Sequence, residues 1–151
     1  MLLTLRIVEF LRTLRPDIKR AEAAADRFDA SVWEQNLRRV FPNAADGILK
    51  IEQTAHKNDS PGRLRRATLA IENWDEILSL TEALPSYEAA EAMVRRLGMP
   101  TDPRQIGLTV KDVTDAFICT RDIRNKYLLS SMLWDLGYLD ETATMLADTL
   151  R

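Results

Sequence analysis

Histidine and cysteine occur once each, as His56 and Cys119, and there are only five glycines and six prolines among 151 residues. Each scarcity removes a class of chemistry. A lone cysteine excludes an internal disulfide framework and any cysteine-rich zinc site. A lone histidine excludes every metal or catalytic motif that needs two. The glycines never cluster, so no G-x-G-x-x-G turn and no Walker loop is present to cradle a dinucleotide or a triphosphate. So few chain breakers argue against a loop-rich or all-β protein. No run approaches the roughly 20 apolar residues of a membrane-spanning helix. Charge of one sign is also missing: 21 basic and 23 acidic residues give a net charge of -2, without the basic excess of a nucleic-acid binder. The opening stretch resembles a signal peptide only superficially, because Arg6 and Glu9 interrupt it and no small-residue cleavage site follows. A cytoplasmic location is the expectation.

What remains is helical periodicity from end to end. Leu3, Ile7, Phe10, Leu11 and Leu14 form one stripe, closed by Pro16. Leu2, Leu5 and Val8 lie off that stripe, so the first helix is apolar on more than one side and calls for a second neighbour. A second helix spans 17–28 and is rich in alanine. Ser31 and Glu34 have the spacing of a capping box for a third, and Asn43 is placed to cap a fourth. Ser60-Pro61 opens a long helix running to about Leu84. Ser86 starts another, stopped by Gly98. The 99–107 stretch, with Pro100 and Pro103, is the clearest linker. Thr109 with Asp112 begins the next helix, a break is expected within 120–126, 127–136 is helical again, and Asp140 caps the last helix. The expected architecture is a single all-α domain, 1–151, a bundle of about seven to nine helices.

Few residues are candidates for chemistry. His56 sits among Lys57, Asn58 and Asp59 and reads as a solvated residue near a helix end. Cys119 follows Phe117 and Ile118 and reads as a buried structural thiol, although Arg121 is near enough to suggest mild reactivity. Asp75/Glu76 and Asp140/Glu141 are adjacent pairs that do not face each other on a helix. Asp112 and Asp115 share a face but suit a helix start. The anion-binding candidates are Arg121, Arg124 and Lys126, with Arg63, Arg65 and Arg66 as a second basic group, because guanidinium forks match phosphate oxygens. Surface pairing with acids is the plainer alternative for both groups.

One pattern is more specific. Ile71-Glu-Asn-Trp-Asp-Glu-Ile77, Leu84-Pro-Ser86, Leu97-Gly-Met-Pro100, Gln105-Ile-Gly-Leu108, Asp122-Ile-Arg-Asn-Lys-Tyr127 and Leu133-Trp-Asp-Leu-Gly137 follow in order. Together they resemble the C-terminal helical half of sn-glycerol-1-phosphate dehydrogenases, in the iron-containing alcohol dehydrogenase superfamily with its dehydroquinate synthase-like fold. The resemblance runs weakly back through Trp33 to the first helix. It implies an oxidoreductase that reduces dihydroxyacetone phosphate with NAD(P)H, its carbonyl polarised by a divalent metal acting as a Lewis acid. It also implies that the dinucleotide cradle and the metal ligands belong to segments preceding Met1. No catalytic, cofactor or metal residue therefore transfers to this chain.

The resulting expectation is a truncated or separately encoded helical domain, inactive by itself. Its first helix would associate with itself or with a missing nucleotide-binding half through positions such as Leu2, Leu5 and Val8. The alternative is a stand-alone helical interaction module. A helix-turn-helix made of 110–118 and a following arginine-rich helix is a third reading, disfavoured by the net charge.

Overall fold

The computed structural model describes residues 2–150. Among them are ten α-helices and one 3-10 turn, with no strand. The helices are α1 (Leu2–Leu11), α2 (Ile18–Asp26), α3 (Ala30–Val40), α4 (Ala45–Ala55) and α5 (Ser60–Glu72). They continue with α6 (Trp74–Thr81), α7 (Tyr87–Arg96), α8 (Val110–Thr120), α9 (Leu129–Asp135) and α10 (Leu139–Thr149). The all-α expectation holds, with one helix more than the upper bound expected.

The extra helix comes from a break at Asn73, which divides the long helix expected from Ser60 to Leu84. The Asn73 amide donates back to the Leu69 carbonyl, so this side chain competes with the helical ladder it would otherwise extend. Several caps also differ from expectation, and at α3 and α5 a carboxylate displaces a weaker acceptor. Asp29, not Ser31, caps α3, accepting from the amides of Ser31 and Val32. Asp59, one residue before Ser60, caps α5. Asn43 caps nothing, since α4 starts after Ala44 without a side-chain cap. Asp140 lies in the first turn of α10, behind Tyr138. By contrast, Asp17, Ser86 and the Thr109/Asp112 box cap α2, α7 and α8. The 99–107 linker contains a 3-10 turn at Pro103–Ile106, held by a capping box on Asp102.

The main core joins α1, α2, α5, α9 and α10 around Leu11, Leu133, Leu136 and Leu146, all at or below 1% exposure. Helices α2 and α5 pack against each other. Ala21 and Ala25 on one and Ala67 and Ala70 on the other are buried, and such small side chains let the backbones come close. A satellite cluster of Leu37, Ala45 and Ile48 ties α3 to α4.

The first helix finds its second neighbour inside the chain. Leu5 packs with Tyr87 and Ala90 of α7, and Leu5 and Val8 are both buried. Glu9 accepts from the Tyr87 amide at 2.8 Å, and the Arg6 guanidinium lies 3.5 Å over the Tyr87 ring. The expectation that Leu5 and Val8 lack cover is therefore corrected: both are buried, Leu5 against α7, and each Å2 of apolar surface so removed from water contributes roughly 25 cal/mol.

Candidate functional site

Buried charge collects in one place. Arg63 (2% exposed), Arg121 (5%), Asp122 (4%) and Asp135 (1%) come from α5, the 121–128 loop and α9, and their common centre is Trp134. Ionised groups leave water only when paired and hydrogen-bonded, so this cluster is where the fold spends polar interactions most heavily.

The Arg63 guanidinium lies 3.7 Å over the Trp134 ring and that of Arg121 lies 3.9 Å from it. Cation–π contacts of this kind are worth about 0.5–2 kcal/mol each. Arg63 donates to the carbonyls of Ala24 and Trp134, joining α2 and α9 to α5. Burial pushes its pKa down to about 10, which leaves it charged at neutral pH. Arg121 donates to Asn58 Oδ1 at 2.8 Å and stands 3.5 Å from Asp122. Burial lowers its pKa, opposed by Asp122, Glu52 and Asp135. Burial raises that of Asp122, opposed by Arg121 and by the Trp33 indole N–H, which donates at 3.2 Å.

Asp135 is fully engaged. It accepts from Arg66 Nε at 2.8 Å and Nη2 at 3.0 Å, and from the Tyr127 hydroxyl at 2.9 Å. Two parallel bonds from one guanidinium are the strong geometry for such a pair. Burial, with the Asp135 charge and bond, raises the Tyr127 pKa and keeps its hydroxyl protonated as a donor. Lys57 Nζ donates to the carbonyls of Arg121 and Arg124 at 2.8 and 3.0 Å, while Arg66 donates to the Lys57 carbonyl. The 121–128 loop is thereby pinned to the α4–α5 turn.

Two cavities flank this network and share Arg121 and Trp134 in their walls. The larger, about 400 Å3, opens beside Phe28, Trp33, Arg63 and Asp122. Phe28 meets the Trp134 ring edge-to-face at 5.6 Å. Cys119 lines this cavity, but burial pushes its thiol up to about 11, helped by the negative charges of Asp122 and Asp115. A thiol so protonated is not an activated nucleophile. The smaller cavity, about 140 Å3, is lined by Lys57, Arg66, Arg121, Lys126 and Asp135 among others.

The basic candidates thus separate. Arg121 is drawn into the interior, Lys126 stays exposed at the small cavity, and the exposed Arg124 contributes its backbone carbonyl to Lys57. Arg63 and Arg66 join the network, whereas Arg65 is exposed. The 121–128 segment is a loop, so no arginine-rich recognition helix follows α8. Asp112 serves its own cap, and Asp115 bonds Arg39. His56 is exposed at the end of α4, with φ 47. Among the described residues, no group of three or more His, Cys, Asp or Glu side chains could hold a metal ion. No described helix is long and apolar enough to cross a membrane.

Lys57, Trp134 and Asp135 are absent from the candidates drawn from sequence. Asp135 had a signal, a single acid within the apolar run Met132-Leu-Trp-Asp-Leu136. Lys57 had none, because its partners lie more than sixty residues away. Compared with protein-family models, characterised proteins and solved structures, the chain matches none.

Proposed function

We propose that this chain is the helical domain of a glycerol-1-phosphate dehydrogenase-like oxidoreductase. In this reading it acts with a dinucleotide-binding half that brings the cofactor cradle and the metal ligands. One observation carries the reading. Two stretches of the resemblance, 122–127 and 133–137, meet in space: the Tyr127 hydroxyl donates to Asp135 at 2.9 Å. Asp122 and Trp134 from the same stretches are joined through Arg121. Leu5 packs against α7 and Val8 is buried, so the docking surface for the other half lies elsewhere than on those two side chains.

The test is co-expression with a tagged dinucleotide-binding half of a glycerol-1-phosphate dehydrogenase. The expected result is an equimolar complex that survives size-exclusion chromatography. Elution of the chain by itself, with the folded partner half recovered separately, overturns the reading.

A further inference from the structure

The charged residues that line the small cavity beside Trp134 are mainly cations. Lys57, Arg66, Arg121 and Lys126 line it, against Asp135 as the one carboxylate. Asp122 and Glu52 act on Arg121 and Lys57 from outside the cavity. Asp59 acts on Arg66 in the same way, so the positive excess belongs to the cavity lining itself. Asp135 is already saturated by Arg66 and Tyr127. Lys126 is exposed at the rim, and no described residue forms an ion pair with it.

We propose that this cavity binds a phosphate-type oxyanion, held by Lys126 at the rim and by Lys57, Arg66 and Arg121 in the wall. Its volume of about 140 Å3 leaves room for a tetrahedral oxyanion. Arg66 and Arg121 are held in place by Asp135 and Asn58, so little side-chain freedom remains to be lost on binding. Lys57 is tethered to two carbonyls, and an ammonium has three donors, so one is left for the anion. Burial, with Arg121 and Arg66 nearby, depresses the Lys57 pKa, an effect that a bound anion relieves. Ser131 also lines the cavity and offers a hydroxyl.

The site is independent of the dehydrogenase reading, and its test uses no cofactor. The full chain is titrated with inorganic phosphate, and separately with glycerol phosphate, at constant ionic strength, followed by amide and indole N–H NMR shifts. Saturable shifts at Asn125, Tyr127, Ser131 and the Trp134 indole are expected, with sodium chloride giving none. Equal affinity for both probes assigns the site to the phosphate group; tighter binding of the ester assigns it to a phosphomonoester. Lys126→Met, a surface change that leaves the thermal midpoint unchanged, should weaken binding at least fivefold, and Lys126→Glu should abolish it. Shifts no larger than those from chloride, or an affinity unchanged in both variants, overturn the proposal.

Discussion

At the scale of single residues, chemistry follows from what each side chain touches rather than from its type. Cys119 shows this most directly. With its thiol pushed up to about 11, about one molecule in a thousand carries the thiolate at pH 8, against roughly a quarter for an ordinary cysteine. Alkylation of the native chain by iodoacetamide at pH 8 should therefore be at least about a hundredfold slower than that of a free thiol, and the rate should recover in denaturant. Labelling of the folded protein at the free-thiol rate would contradict the buried placement. This inertness was legible in advance from Phe117 and Ile118 beside the cysteine. The role of Arg121 was not. Its spacing to Arg124 and Lys126 suggests three equivalent surface cations, yet Trp134, thirteen positions on, draws Arg121 inside. Local sequence carries no record of such a contact.

At the scale of elements, caps and stops decide where helices end and how they meet. Gly98 and Gly137 both follow helices with positive φ, 67 and 78. Only Gly137 lies against another element: a Cβ there would meet Ala24 Cβ at 2.8 Å, whereas at Gly98 it meets nothing. Gly98→Ala should cost about 1 kcal/mol, for the left-handed backbone alone. Gly137→Ala should cost about 2–4 kcal/mol, since α2 must also move. Equal losses in urea denaturation would show that α2 and the α9 stop are not in contact.

The Arg39–Asp115 pair clasps α3 to α8, with two bonds of 2.6 and 2.9 Å. The bond from Arg39 holds the Asp115 pKa at about 2. A carboxylate depressed in the folded state contributes stability above its unfolded value of about 4 and loses it as pH falls toward 2. Arg39 is half exposed, and solvent screening limits the contribution to about 1 kcal/mol. Asp115→Asn should thus be less stable than the parent at pH 7, with the gap closing between pH 4 and pH 2. A gap that persists at pH 2 would assign the loss to something other than this charge. The helix order and the strongest stops were readable from periodicity, Pro16, Pro85, Gly98 and Gly137. The Asn73 break was not, because its neighbours Leu69 and Ile77 keep helical spacing across it.

For the whole molecule, separate stretches of ordinary-looking sequence converge on one polar centre. Arg63 and Arg66 from α5, Lys57 from the preceding turn, Arg121 and Asp122 from the loop and Trp134 and Asp135 from α9 meet in the bundle, with Lys126 and Tyr127 at the rim. A core built for stability alone has little reason to hold two arginines over one indole, since replacing buried ion pairs by apolar packing is often neutral or stabilising. Under the proposed reading, that centre serves anion and partner recognition, and hydride transfer belongs to the other half. The most direct test of the account is spectrophotometric: NAD(P)H oxidation with dihydroxyacetone phosphate and a divalent metal, by the chain, by a dinucleotide-binding half of a glycerol-1-phosphate dehydrogenase, and by the two combined. The account predicts turnover in the mixture alone, and its loss when Asp135→Asn unties Arg66 and Tyr127. A mixture no more active than its parts, or turnover by the chain by itself, would contradict it.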